Sequence, residues 1–121
     1  SLAKNEIVLE GGLKSLEICQ RHGVPVAYGS DLLGELHWDQ SREFSLRREV
    51  VTPIEIIRSA TTIPAQILRL EGKVGTLQPG AWADLLLVDG DPLENLSLLE
   101  DQGRHLSIIM KAGRFHKHRL N

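Results

Sequence analysis

The sequence predicts an α/β protein: helices and one apolar, parallel-type strand come first, and a mainly antiparallel β portion follows. Three observations predict it. A helical pattern passes through a short turn into the apolar stretch of residues 24–28 (VPVAY), the grammar of a parallel α/β unit. A second strand pattern, ADLLLVD over 83–89, is followed by the runs 106–111 and 114–117, which read as a hairpin around Ala112-Gly113. The composition changes near Lys73, dividing the chain into 1–72 and 73–121.

Asn5 is a candidate cap for the first helix, and Leu9, Leu13, Leu16 and Cys19 follow at helical spacing. Gly11-Gly12 costs roughly 1 kcal/mol per residue relative to Ala, so the helix is expected to be firm only from about Leu13. Arg21 and His22 suit its last turn and Gly23 its stop. After the strand come Asp31 and a polar loop, LLGELHWDQ, then a helix over about 41–50 with the charged face Arg42, Glu43, Arg47, Arg48 and Glu49. Thr52-Pro53-Ile54-Glu55 is a helix start, with Pro at the first position and Glu55 closing a capping box. That helix carries Ile54, Ile57 and Ala60. A short helix from about Pro64 ends near Gly72. Gln78-Pro79-Gly80 and Gly90-Asp91-Pro92 are turns.

The chain has 121 residues, and its net charge of -2 gives no electrostatic case for nucleic acid or an anionic membrane. Its apolar runs fall well short of the roughly 18 residues a membrane span needs. One cysteine, Cys19, cannot form an internal disulfide, so a reducing cytoplasm is the expected compartment. Cys19 reads as a small core residue.

The strand over 24–28 looks central, and a central strand needs a neighbour on each edge. Residues 1–72 offer none, so its partners must come from elsewhere. It ends at Gly29-Ser30-Asp31. The plain reading of Asp31 is a turn residue bonding nearby backbone. The sharper one is that parallel α/β folds place their chemistry at the carboxyl ends of strands, where a carboxylate binds a metal or moves a proton.

GVPVAYGSD, then TPIEIIRSATTIPAQILRLEGKVGTLQPGAWADLLLVDGDPLENL, then IIMKAGRFHK together resemble the C-terminal third of metal-dependent amidohydrolases. The likeness is greatest to the imidazolonepropionase-like and Xaa-Pro dipeptidase-like branch. It runs from about residue 13 to residue 117, and GTLQPGAWADLLLVDGDP over 75–92 is its most specific part. The resemblance implies a (β/α)8 barrel with one or two divalent metals, zinc first, at the carboxyl ends of its strands. It also implies a β-sandwich built from both chain termini. Residues 1–72 would be the last helix–strand units of the barrel, with 24–28 as its eighth strand. Residues 73–121 would be C-terminal strands of the sandwich. Asp31 would be the strand-eight aspartate, metal ligand and proton shuttle in one.

A bound metal lowers the pKa of its water to about 7 and polarises a carbonyl. A carboxylate beside that water can take its proton and return it to the departing amine. The family's other ligands are a His-x-His pair, a bridging Lys and two further histidines on earlier strands, and this chain has none of those segments. A catalytic zinc site takes three protein ligands, so the chain is expected to be inactive alone. His37, in the loop after Asp31, is a candidate substrate contact on this template; its plain reading is a solvated loop residue. The pair His116/His118 has metal-ligand spacing but does not match the family's pair. Asp84, Asp89 and Asp91 do not fit a calcium loop and are expected to be structural.

The expected partners are an amide or peptide substrate, the remainder of a parent chain and a second copy of this one, since exposed barrel surface drives association. Ser1, without an initiator Met, fits an excised fragment or a processed start. The alternatives are a non-catalytic interaction module derived from such an enzyme, and a small metal-binding protein using Asp31 with His37 or the His116/His118 pair.

Overall fold

The computed structural model describes residues 2–120. Helix α1 (Leu2–Arg21) is continuous through Gly11 and Gly12, so it starts earlier than expected and Asn5 lies inside it. A side-chain ladder supports its last turns: Glu17 accepts from Lys14 at 3.5 Å and from Arg21 at 2.6 Å. These two cations hold the Glu17 carboxyl below its ordinary range. No residue of α1 is fully buried, and Cys19 is half-buried rather than core.

Residues 24–33 carry no regular structure. The expected strand over 24–28 does not form a ladder. The physical reason is the deficit visible in the sequence: no strand within residues 2–72 is there to pair with it. The expected polar loop is instead a 3-10 helix, Gly34–Arg42, which runs directly into α2 (Glu43–Arg47), so the single helix expected over 41–50 is two shorter pieces.

Helix α3 (Pro53–Ala60) starts as its sequence dictates. The Glu55 carboxylate accepts from the Thr52 backbone N–H at 3.2 Å and the Thr52 hydroxyl at 2.6 Å. These bonds hold Glu55 below the ordinary carboxylate range, so the cap is intact at neutral pH and weakens as pH falls through that lowered value. The buried edge of α3 is Ile56 and Ser59, while Ile54 is exposed. The Ile56–Ser59 edge turns inward because Tyr28 and Arg47 bond to Ser59. Helix α4 (Thr62–Ile67) follows at once.

The β portion matches its sequence pattern. Strands β1 (Leu85–Val88), β2 (Leu106–Lys111) and β3 (Arg114–His118) form an antiparallel sheet in the order β1-β2-β3, with Leu85 opposite Met110 and Met110 opposite Phe115. The hairpin turn has φ of 50° at Ala112 and 76° at Gly113, the left-handed pair that matches strand twist. The three aspartates are structural. Asp84 accepts the Ala112 N–H at 2.7 Å, Asp89 accepts from the Ser107 hydroxyl, and Asp91 accepts the Leu93 N–H at 2.8 Å.

The buried apolar set is small: Ile56, Ala65, Leu96 and Leu106. The two portions meet where the Ser45 N–H donates to Glu100 at 3.0 Å and where the Gln102 amide donates to the Trp38 carbonyl. They also meet at Gly75, where a Cβ would stand 2.3 Å from the Thr61 carbonyl oxygen.

Ala112 holds a left-handed conformation that costs an L-residue with a Cβ about 1 kcal/mol. Ala112→Asn is expected to stabilise the protein by about 0.5 kcal/mol, since Asn tolerates this region better. The urea midpoint of the variant against the parent checks it.

Candidate functional site

The segment leading to Asp31 is fixed at its start by the helix stop before it. Gly23, at φ 67°, takes the left-handed position; Val24 N–H bonds the Cys19 carbonyl at 2.8 Å and Gly23 N–H bonds the Gln20 carbonyl at 3.1 Å. These two bonds are the Schellman pattern, and they turn the chain sharply out of α1. Further along, Tyr28 is held in three ways. Its N–H donates to the Ser59 carbonyl at 2.8 Å, its ring stacks on Phe44 with centroids 4.6 Å apart, and its hydroxyl donates to the Gln40 carbonyl.

Arg47 binds this arrangement together. It is 9% exposed. Its guanidinium donates to the Ala27 carbonyl at 3.2 Å, to the Ser59 hydroxyl at 3.5 Å and to the Glu43 carboxylate through Nε at 2.7 Å and through Nη2. It also lies 5.2 Å from the centroid of the Tyr28 ring, within cation–π range. One planar fork thus reaches the extended segment, α2 and α3. Burial pushes the Tyr28 phenol up to about 12; the Glu43 carboxylate adds to the rise and Arg47 opposes it.

Arg47 and Tyr28 stand out in the structure and not in the sequence. The charged face expected over 42–49 is solvated except at Arg47, which turns inward, and at its half-buried partner Glu43. The available signal was the Glu43…Arg47 spacing of four, a helical ion pair, with Phe44 and Leu46 beside it.

Asp31 itself is exposed, at φ 50°, three residues past Tyr28. The turn-capping bonds of its plain reading do not form. Among the described residues its carboxylate has no hydrogen-bond or ion-pair partner. His37 lies in the 3-10 helix Gly34–Arg42 and is exposed beside the exposed Trp38. No bond joins His37 to Asp31 among the described residues. His22 is exposed just past α1, and His105 lies 3.6 Å from Asp101. His116 and His118 are on β3, with His118 edge-on to Phe115 at 4.7 Å. A groove of about 290 Å³ lies between α1, the extended segment and α3, lined by Leu16, Val24, Val26, Ile56 and Ile63 among others. It includes neither Asp31 nor His37.

Among the described residues no three His, Cys, Asp or Glu side chains come together to hold a metal ion. A single carboxylate does not satisfy the three-ligand requirement of a catalytic zinc site, so these residues do not by themselves fit one. The reading as a small self-contained metal protein therefore has no ligand set among the described residues.

The sequence model of the amidohydrolase family matches residues 1–114. The chain belongs to the amidohydrolase family. A solved amidohydrolase structure is 45% identical with a TM-score of 0.89, covering 91% of this chain and 27% of that one. A prolidase solved with N-methylphosphonate-L-proline is 43% identical with a TM-score of 0.85, covering 88% of this chain and 26% of that one. Ochratoxinase from Aspergillus niger is 25% identical over 118 residues, 97% of this chain and 24% of that protein. The chain spans about a quarter of the length of these relatives.

Tyr28 is the sole tyrosine of the sequence, so ultraviolet phenolate absorbance reports it alone. Its titration midpoint is expected near 12 rather than 10. Because the folded value is raised, the associated stability is complete below pH 10 and is lost as pH rises through the folded value. An ordinary midpoint near 10 in the folded protein would contradict the packing described.

Proposed function

We propose that this chain is the C-terminal portion of a metal-dependent hydrolase that cleaves an amide-type C–N bond in a dipeptide, an N-acyl amino acid or a cyclic amide. The observation that carries the reading is Asp31: an exposed carboxylate at the end of an apolar segment, without a bonding partner among the described residues, in a chain similar to a prolidase. In this reading residues 1–72 are the last helix–strand units of a (β/α)8 barrel, and residues 73–121 are strands of its β-sandwich. The segment 24–28 becomes the eighth barrel strand once its neighbours are present.

The other metal ligands would come from the rest of the protein, and Asp31 is the one carboxylate this chain would lend. When bound, a divalent metal, zinc first, supplies a water that ionises near neutral pH and polarises the carbonyl. Asp31 accepts the proton of the attacking water and delivers it to the departing amine, which leaves poorly as an anion. His37, on the same exposed stretch, contacts the substrate. The compartment that fits this chemistry and the single thiol is the cytoplasm.

The surface supports the reading. A folded monomer of 13.5 kDa exposes about 6,500 Å² by size scaling, whereas this chain exposes 8,911 Å². The difference exceeds the roughly 800 Å² per partner of a standard interface. Uncovered apolar side chains lie on the helices (Ile7, Val8, Leu9) and on the sheet (Leu86, Leu87, Phe115). Barrel and sandwich neighbours would cover both sets. Without them, two copies of the chain cover each other.

Two measurements test this. In the intact gene product, Asp31→Asn is expected to lower kcat on Xaa-Pro dipeptides or N-acyl amino acids by 10²- to 10⁴-fold, on the order of a lost general acid–base group. Full activity in that variant rejects the role. By light scattering at micromolar concentration this chain alone is expected to be a dimer or larger, and a monodisperse monomer rejects the uncovered-surface account.

A further inference from the structure

We infer that Arg47 is a positioning residue for Asp31, acting through the backbone of residues 27–28. The inference rests on the proposed role of Asp31. Its observations are independent of that role.

The Arg47 guanidinium bonds the Ala27 carbonyl at 3.2 Å, four residues before Asp31. The adjoining Tyr28 N–H bonds the Ser59 carbonyl at 2.8 Å, and Arg47 reaches the hydroxyl of that same Ser59 at 3.5 Å. The Ser59 hydroxyl in turn donates to the Ile56 carbonyl at 2.6 Å, inside α3. Ala27, Tyr28, Ser59 and Arg47 thus close a ring of bonds across two elements and the extended segment. Glu43 aims the fork by accepting from Arg47 across one turn of α2. Beyond Tyr28, no hydrogen bond or ion pair among the described residues fixes the Asp31 carboxylate.

The geometry of Asp31 is therefore inherited from this ring. A proton shuttle depends steeply on placement, and a 1 Å displacement costs on the order of 10²-fold in rate. Lysine carries the charge but cannot replace the fork: its ammonium is a point charge on a flexible stem, without the planar spread that reaches three acceptors at once.

The test uses the intact gene product and four forms: parent, Arg47→Met, Arg47→Lys and Asp31→Asn. Each is assayed at a temperature where circular dichroism shows it folded. Positioning predicts that Arg47→Met lowers kcat by about tenfold or more with KM within about twofold, and that Arg47→Lys falls between it and the parent. Amide exchange at Tyr28 is expected to quicken in both variants, with the β1–β3 amides unchanged. Should Arg47→Met fail to fold, Arg47→Lys carries the same test. If Asp31→Asn is inactive while the folded Arg47 variants keep parental kcat, the inference is overturned and the role of Asp31 stands. An equal rise in KM with no loss of kcat overturns it as well, since that marks a binding effect. If Asp31→Asn keeps full activity, the proposed function fails first and the inference falls with it.

Discussion

The helical portion depends on the buried guanidinium of Arg47. A segment without strand partners has no ladder to hold it. What ties residues 24–28 to the helices is a short set of directional bonds: Arg47 to Ala27, Tyr28 to Ser59 and Tyr28 to Gln40. Arg47 is offset by Glu43, with side-chain exposures of 11% and 21%. The pair is part-buried, so removing one member is expected to cost less than the roughly 3–5 kcal/mol of a fully buried pair.

The β portion was legible because its information is local. Alternation, the Gln78-Pro79-Gly80 turn and the Ala112-Gly113 hairpin each specify geometry within a few residues, and β1–β3 form where the pattern put them. The capping box at Thr52 and Glu55 was legible for the same reason. The helical portion was only half legible. The apolar stretch over 24–28 was legible, but the strand read from it does not form, because no strand within residues 2–72 pairs with it. Ile54, Ile57 and Ala60 share a helical face, but the buried edge is set by what packs on it, and Tyr28 and Arg47 select Ile56 and Ser59. Arg47 is invisible in a one-dimensional charge pattern because its burial depends on Ala27 and Ser59, twenty residues before it and twelve after it.

The candidate site shows the same division. Asp31 is singled out by the family resemblance, since its local sequence fits a turn residue equally well; among the described residues no turn bond to its carboxylate is found. The apparatus that aims it lies behind it, in Arg47, Tyr28, Phe44 and Ser59. A stiff anchor behind an open carboxylate suits a group that must present itself to partners from the rest of a larger protein. The core is small, and apolar side chains lie uncovered on α1 and on the sheet.

The measurement that most directly tests this account is the coding sequence upstream of Ser1. The account predicts that the reading frame continues for roughly two further domains' worth of chain and contains a strand with a His-x-His pair. A start codon immediately before Ser1 would contradict it. Asp31 would then be a surface carboxylate on a protein without a metal site, and the chain a non-catalytic relative of the hydrolases it resembles.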